Sequence, residues 1–315
     1  MEFRPFGTTG IDVSEVGFGA WAIGGDAWGP VEDADSLTAM ERAMELGVNF
    51  LDTADVYGDG RSESLVGRVL KGRREQVVVS TKGGLLGHHR DPDRGPVYDR
   101  PEKVLVAFDA SLRRLETDYI DVYWCHIWWH DARETAAFLE AFATLKRDGK
   151  VRAVGVSTDS MEHMRQFHEG TGAGGAGIDA VQFDYSILNR QAEAEMLPFA
   201  QRHGLAVVVR GPLFKGLLTG KFDRHTRFAE GDIRHGWPAE ESYAQNVERV
   251  ERLKVLERDD RTLGQVALRF VLSHPSVSVA IPGAKNPAQV QANTAASVRP
   301  LLFAEDRDLI EQVSR

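Results

Sequence analysis

The chain has 315 residues, 42% of them hydrophobic and 27% charged, and this composition is typical of a folded globular protein. Its formal net charge is −9 and it has no block rich in Lys and Arg, which argues against bulk nucleic acid or an anionic membrane as a partner. No run of about 18 apolar residues occurs, and only one cysteine is present. We therefore expect a cytoplasmic protein, monomeric by default, with no membrane span and no intrachain disulfide.

Short apolar runs rich in β-branched residues alternate with longer amphipathic stretches, a pattern typical of βα units. Strands are predicted at residues 16–19, 49–52, 77–81, 121–124, 153–156, 180–183, 206–209 and 277–281. Helices are predicted near residues 35–45, 62–70, 101–114, 133–146, 161–168, 192–202, 243–258 with 262–272, and 287–296. Eight strands, each followed by a helix, predict an α/β fold of the (β/α)8 TIM barrel type, formed by residues 1–315 as a single domain. Residues 1–10 predict an N-terminal β-hairpin that closes the lower mouth of the barrel.

Polar side chains follow three successive predicted strands, at the point where each strand ends. Asp52 and Tyr57 follow the second strand, Lys82 the third and His126 the fourth. Because the active sites of such barrels lie at the carboxyl ends of the strands, we expect these four side chains to share one mouth. Any one of them alone is more often a surface or structural residue, but four at successive strand ends indicate a site.

These four residue types suit acid catalysis. A free tyrosine titrates at a pKa of about 10, and a neighbouring ammonium favours the phenolate and lowers that pKa. Lys82 can supply the positive charge, and Asp52 can hold Lys82 in place and keep it protonated. His126 can donate a hydrogen bond to a substrate oxygen. The sequence therefore predicts a general acid, Tyr57, activated by a cation.

The order of Asp52, Tyr57, Gly58, Glu63, Gly67, Lys82 and His126 resembles the aldo-keto reductase superfamily. Further motifs of the resemblance stand at residues 17–21, 118–121, 149–152, 155–157, 181–183, 216–221 and 281–284. The resemblance covers nearly the whole chain. It implies that Asp52, Tyr57, Lys82 and His126 form a catalytic tetrad that transfers hydride between NADP(H) and the carbonyl carbon of an aldehyde or ketone.

The same resemblance implies where the cofactor binds. Ser157 and Gln182 would hydrogen-bond the nicotinamide carboxamide, and the planar guanidinium of Arg210 would stack on the ring where many relatives have a tyrosine. Other residues implied to border the cofactor are Gly19, Ala20, Trp21, Asp52, Gly211, Pro212, Leu213, Gly216, Lys221, Gly283, Lys285, Gln289 and Asn293.

The segment after the eighth strand favours NADP(H) over NAD(H). Lys285 can pair with a 2′-phosphate, and a helix that begins near Pro287 would direct its positive end at the same anion. Gln289 stands where many relatives have a phosphate-binding arginine, and Ala284 stands where many have a serine, so the preference for NADP is predicted to be small.

The substrate pocket is predicted to include Trp21, Trp28, Tyr57, His126 and Trp128, although ordinary packing explains Trp21 equally well. Residues 17–22 satisfy a loose G-x-G-x-x-A pattern, but no helix is predicted after it, so we do not expect a dinucleotide-binding turn there.

No metal is expected, because Cys125 and His126 would point to opposite faces of a strand. Two other functions are open: a sugar or polyol dehydrogenase that uses NAD(P), and a non-catalytic NADPH-sensing regulatory subunit.

Overall fold

The chain forms a curled parallel sheet surrounded by helices. A computed structural model describes residues 1–86, 95, 97–126, 131–170, 177–297 and 302–314. The strands in these residues are β1 (Phe3–Pro5), β2 (Asp12–Ser14), β3 (Phe18–Gly19), β4 (Phe50–Asp52), β5 (Val78–Gly83), β6 (Ile120–His126), β7 (Val151–Ser157), β8 (Ala180–Asp184), β9 (Ala206–Arg210) and β10 (Val277–Ala280). The α-helices in the same residues are α1 (Asp33–Glu45), α2 (Arg61–Leu70), α3 (Pro101–Leu115), α4 (Ala132–Arg147), α5 (Met161–Glu169), α6 (Met196–Arg202), α7 (Glu241–Leu253), α8 (Leu263–Leu272), α9 (Pro287–Thr294) and α10 (Ala304–Ser314).

Strands β3 to β10 form one parallel sheet in which each strand pairs with its neighbour in sequence. The first and last strands also meet, because the Gly17 N–H donates to Ala280 O at 2.8 Å and the Gly19 N–H donates to Pro282 O at 3.2 Å. Strands β1 and β2 pair separately as an antiparallel hairpin. The predicted (β/α)8 barrel with an N-terminal β-hairpin is therefore confirmed.

The hairpin contributes to the core inside the barrel. Phe6 has no exposed surface, and its ring centroid lies 5.8 Å from that of Phe50 on β4. Ile11 and Val13 are buried in the same cluster as the inward-facing residues of the barrel strands. The hairpin therefore buries apolar surface that an open barrel end would leave in water.

Side chains alternate between the two faces of each barrel strand, as the pleat requires. On β6, Val122 and Trp124 lie in the inner cluster, whereas Tyr123 and Cys125 pack with the helices outside. This alternation directs His126, the last residue of β6, towards the inside of the barrel.

Three helical segments differ from the sequence prediction. The helix predicted at residues 243–258 ends as α7 at Leu253 and is followed by a 3-10 turn at Lys254–Leu256. Residues 192–202 were predicted as one helix, but the structure has a short 3-10 turn at Gln191–Glu193 and then α6. Pro198 explains the break, because a proline is tolerated in the first turn of a helix but not in its interior. The C-terminal helix α10 was not predicted, although Ile310 and Val313 pack against α7. Among the described helices, none is both long and apolar enough to cross a membrane.

Candidate active site

A buried ion pair lies at the carboxyl ends of β4 and β5. Lys82 Nζ donates to Asp52 Oδ1 at 2.5 Å and to Thr53 O at 2.8 Å, and the Lys82 side chain has no exposed surface. Burial lowers the pKa of Lys82, but the Asp52 carboxylate and the Tyr57 phenol together raise this pKa by more than burial lowers it. The net pKa of Lys82 therefore lies above its ordinary value. Lys82 therefore remains an ammonium ion in the barrel.

Two side chains, one from the neighbouring strand β5 and one from β8 across the barrel, orient Asp52. Its second oxygen, Oδ2, accepts hydrogen bonds from Ser80 Oγ at 2.7 Å and from Gln182 Nε2 at 3.0 Å. Ser80 in turn accepts a hydrogen bond from Trp124 Nε1 at 2.7 Å. Ser80 and Trp124 were missed by the sequence analysis. Ser80 lies two residues before Lys82, and Trp124 lies two residues before His126. Because side chains two apart on a strand share a face, both could have been predicted to face inward.

Tyr57 lies on the turn between β4 and α2, with its Oη 3.4 Å from Lys82 Nζ. Burial raises the pKa of Tyr57 above its ordinary value, although the nearby charge of Lys82 opposes this shift. The cation acts in the predicted direction, but the net lowering of the pKa that we expected is wrong, because loss of solvent outweighs one charge at this distance. The phenol therefore holds its proton at neutral pH.

His126 faces the phenol from β6. The two ring centroids are 6.1 Å apart and the rings are nearly perpendicular, at 88°. Burial, together with the charges of Lys82 and Arg210, lowers the pKa of His126 well below its ordinary value, so the imidazole is neutral. Its buried Nδ1 has no hydrogen-bond partner within the described residues. A neutral imidazole beside a neutral phenol can provide two donors for one oxygen atom of a ligand.

Two tryptophans from the loop after β3 lie beside the phenol, one against its ring and the other against the first tryptophan. Trp21 stacks on Tyr57 with centroids 5.9 Å apart and planes at 22°, and Trp28 meets Trp21 edge-on at 5.2 Å. The structure thus brings four of the five predicted pocket residues together. The fifth, Trp128, lies outside the described residues.

The residues expected near the nicotinamide ring end strands β7, β8 and β9. Ser157 Oγ lies 3.4 Å from Gln182 Oε1, so these two side chains form one polar edge. Arg210 forms ion pairs with Asp159 and Asp184. These carboxylates restrain the guanidinium plane beside the site, and this is compatible with a stacking surface.

The other residues expected near the cofactor border the same barrel mouth. Gly19 ends β3, and Ala20 and Trp21 begin the 3-10 turn Ala20–Ile23, which is not an α-helix. The segment directly after β9 contains Gly211, Pro212, Leu213 and Gly216, and Lys221 follows the next 3-10 turn, Leu217–Thr219.

After β10, the segment that begins at Gly283 packs against α9. The Lys285 N–H donates to Gln289 Oε1 at 2.7 Å, and Asn293 Nδ2 donates to Gly283 O at 3.4 Å. Helix α9 begins at Pro287, as predicted, and the Asn286 side chain caps it.

A group of cations beside this segment suits a phosphate. Burial lowers the pKa of Lys285, and the charges of Arg234 and Lys221 lower it further, although Asp232 opposes them. The Lys285 ammonium also donates to the carbonyl oxygen of Trp28. Arg234 is already paired with Asp232 at 2.6 Å, so Lys285 and Lys221 are the cations that an anion bound here would pair with, and these residues fit a phosphate-bearing cofactor. Arg234 was not identified from the sequence, because it lies in a loop without periodicity.

Comparisons with known proteins show the family to which the chain belongs. A model described as the aldo/keto reductase family matches residues 15–315. This chain belongs to the aldo/keto reductase family. An NADH-specific methylglyoxal reductase from Escherichia coli (strain K12) is 35% identical to this aldo/keto reductase over 316 residues, covering 94% of this chain and 93% of the relative.

Two solved structures are similar to this aldo/keto reductase along nearly its whole length. The glycerol dehydrogenase from Gluconobacter oxydans has a TM-score of 0.83 and 31% identity, covering 99% of this chain and 94% of that one. An aldo/keto reductase from Klebsiella pneumoniae in complex with NADP and acetate has a TM-score of 0.74 and 26% identity, covering 96% and 92%. The protein is therefore an oxidoreductase of a family that uses nicotinamide cofactors and acts on small carbonyl compounds.

Proposed function

We propose that this protein is an NADP(H)-dependent reductase of aldehydes or ketones in which Tyr57 is the general acid. The observation that supports this most directly is the 3.4 Å contact between Tyr57 Oη and Lys82 Nζ inside the barrel. A phenol beside a buried cation can release its proton to a developing alkoxide, because the cation stabilises the phenolate that remains.

Each of the other tetrad residues has a distinct role in this proposal. Asp52 keeps Lys82 charged, since an unpaired buried ammonium would lose its proton. Neutral His126 donates a hydrogen bond to the carbonyl oxygen and orients the carbonyl group. The nicotinamide cofactor would supply the hydride. The chain's own residues bind and orient the reactants and provide the proton.

Cofactor binding is proposed for the residues around the barrel mouth. Ser157 and Gln182 would bind the carboxamide, and Arg210 would support the ring. The preference for NADP(H) rests on Lys285 and the cations beside it. The 35% identical relative described as NADH-specific argues that this preference is small, as does the absence of an arginine at Gln289.

A second candidate is a polyol dehydrogenase, which the likeness to the glycerol dehydrogenase favours. The same four residues would then work in reverse, with the Tyr57 phenolate accepting the proton of an alcohol. Initial rates of methylglyoxal reduction and of glycerol oxidation, each with both cofactors, distinguish the two directions. Tight NADPH binding without turnover of any substrate would instead support a regulatory subunit.

The decisive experiment is Tyr57→Phe. We expect kcat for aldehyde reduction to fall by about 10²- to 10⁴-fold, because the variant lacks the proton donor but keeps the ring that packs under Trp21. NADPH affinity, measured by fluorescence titration, should change little.

Tyr119→Phe is the matched control, because Tyr119 precedes β6 and lies at the opposite end of the barrel. Unchanged turnover in Tyr57→Phe would reject Tyr57 as the acid. An equal loss in both variants would indicate a general effect on folding.

A further inference from the structure

One arginine side chain donates hydrogen bonds to both ends of the loop that lies beside the proposed general acid. This loop, residues 20–32 and called here the first loop, follows β3 and contains Trp21 and Trp28. Arg61 Nη1 donates to Ile23 O at 3.3 Å and to Gly24 O at 3.2 Å. Its Nη2 donates to Val31 O at 2.8 Å. A single side chain on α2 thus satisfies carbonyl oxygens at the beginning and the end of the first loop.

A carboxylate holds the guanidinium of Arg61 in this orientation. Asp33 Oδ1, on the first residue of α1, accepts from Arg61 Nε at 3.1 Å and from Nη2 at 2.6 Å. Four acceptors of fixed direction match the rigid fork of an arginine, whereas a lysine has one nitrogen and reaches fewer of them. Arg68 also contacts Asp33, at 3.4 Å, but no hydrogen bond joins it to the described carbonyl groups of the first loop.

The first loop lies directly against the turn that carries Tyr57. The Gly58 N–H donates to Asp26 Oδ2 at 3.1 Å. A Cβ atom on Gly24 would lie 2.9 Å from Gly58 N, and one on Gly58 would lie 2.3 Å from Gly24 O. The two backbones are in contact with no space between them, so a shift of the first loop is transmitted to the turn.

The same loop sets the distance between the two indoles and the phenol. Trp21 lies between Trp28 and Tyr57, in ring contact with both. Trp28 Nε1 is buried and has no hydrogen-bond partner in the described part of the chain. Ala27 O also accepts a hydrogen bond from the Ile233 N–H at 2.8 Å, and Arg234 lies over the Trp28 ring at 4.9 Å. The middle of the first loop therefore has contacts of its own, and Arg61 acts on the ends of the loop, of which the first lies next to Trp21.

We propose that Arg61 is a positioning residue for the carbonyl substrate. Through the first loop it places Trp21 against Tyr57, and it contacts neither the reacting atoms nor the proposed tetrad. This inference rests on the proposed carbonyl reductase function. It predicts that loss of Arg61 weakens substrate binding more than it slows the chemical step.

The test compares Arg61→Ala and Arg61→Lys with Arg68→Ala, which removes an arginine that shares Asp33. At saturating cofactor, we expect both Arg61 variants to raise KM for the carbonyl substrate by about tenfold, with kcat within about twofold of the wild type. Arg68→Ala should leave both constants unchanged. Unchanged KM in the two Arg61 variants, or an equal rise in Arg68→Ala, would overturn the proposal.

Two glycines of the first loop provide a second test of the contact between this loop and the Arg61 guanidinium. A Cβ on Gly25 would lie 2.3 Å from Arg61 Nη1, whereas one on Gly29 would meet nothing within 4 Å. Both glycines have positive φ, +85° and +75°, so both alanine variants carry similar backbone strain. Gly25→Ala should reproduce the KM of Arg61→Ala, and Gly29→Ala should not. Equal effects of the two glycine variants would contradict the role of the guanidinium.

Hydrogen exchange separates this inference from the proposed function. Amides of residues 20–32 should exchange faster in Arg61→Ala than in Arg68→Ala, whether or not the protein turns over a carbonyl compound. Absence of turnover in the wild type would refute the reductase proposal alone. Equal exchange rates in the two variants would refute the role of Arg61 alone.

Discussion

Lys82 keeps its charge inside the barrel because three oxygen atoms face its ammonium group: Asp52 Oδ1, Thr53 O and Tyr57 Oη. A buried charge without such partners would cost several kcal/mol and would lose its proton instead. The phenol is coupled to this cation and is buried beside it. The protonation state of Tyr57 therefore depends on two opposing effects, since burial raises the pKa of the phenol and the charge of Lys82 lowers it.

A second buried carboxyl group, Asp55, lies on the same turn but takes no part in the tetrad. Burial, together with the charge of Glu63, raises the pKa of Asp55 to about 8, although Arg114, the Val56 N–H and Lys82 oppose the shift. Glu63 already accepts hydrogen bonds from Arg114 and Thr81. One guanidinium cannot balance two buried carboxylates, so Asp55 is protonated in the folded protein at neutral pH.

We predict that Asp55→Asn makes the protein more stable than the wild type at pH 8. The folded pKa lies above the unfolded value of 3.8, so the wild type loses free energy of unfolding as pH rises from about 4 to about 8. The loss is at most about 1.4 kcal/mol per pH unit for one proton. Asparagine does not titrate, so urea unfolding across this range should show the two curves separating towards high pH.

The control for this experiment is Asp118→Asn, a substitution at an exposed carboxyl group on the surface. It should leave the pH dependence of stability as it is in the wild type. If Asp55→Asn runs parallel to the wild type from pH 4 to pH 8, Asp55 is not protonated by burial.

Among the elements, the C-terminal helix α10 carries a buried carboxylate, Asp306, in addition to the apolar side chains that pack against α7. Asp306 accepts hydrogen bonds from Arg261 Nη1 at 2.8 Å and Nη2 at 2.7 Å, and from the Phe303 N–H at 3.0 Å. Hydrogen bonds from Arg261 lower the pKa of Asp306. The contribution of the Asp306 carboxylate to the free energy of unfolding is therefore present at neutral pH and is lost as pH falls through the lowered pKa.

We therefore predict that Asp306→Ala loosens α10 without unfolding the barrel. The variant leaves the nearly buried guanidinium of Arg261 without this partner, at a cost of about 2 kcal/mol. Amides of residues 304–314 should exchange faster with solvent, while those of β6 should not change. Asp308→Ala, an exposed aspartate on the same helix, is the control, and equal exchange in both variants would show that Asp306 does not hold the helix.

At the scale of the whole molecule, the barrel depends on the contact between its first and last strands. Strand β3 is only two residues long, and the backbone around it joins the segment after β10 through Gly19. A Cβ on Gly19 would lie 2.6 Å from Ile281 O. The closing strands approach closely because this position has no side chain.

We predict that Gly19→Ala lowers the melting temperature by several degrees, because the added methyl group forces β3 away from its neighbour at a cost of about 1–3 kcal/mol. Gly236→Ala is a matched control. Gly19 and Gly236 have φ of −83° and −78°, but a Cβ on Gly236 would meet nothing within 4 Å. Equal melting temperatures for the two variants, measured by calorimetry, would show that the closure tolerates a side chain.

The sequence predicts much of this barrel because its strands are buried on both faces and its helices are amphipathic. The period of two alone places Asp52, Lys82 and His126 on the inner face at strand ends. It could also have placed Ser80 and Trp124 there, but neither residue type indicates chemistry by itself. Arg61 could not be predicted, because Val31 O and its other carbonyl partners are distant in sequence. The position of Arg234 could not be predicted either, because it lies over the ring of Trp28, about 200 residues away in sequence.

The local pattern of residue types along the sequence determined which segments become strands and helices. It also determined which side chains lie at the carboxyl ends of the strands. Tertiary structure decided the sign of the pKa shift at Tyr57, the neutrality of Asp55 and the position of the first loop. The physical reason is that the pleat of a strand and the period of a helix depend on residues that are close in sequence. Desolvation, ion pairing and steric contact depend instead on distances between atoms that only the closed barrel brings together.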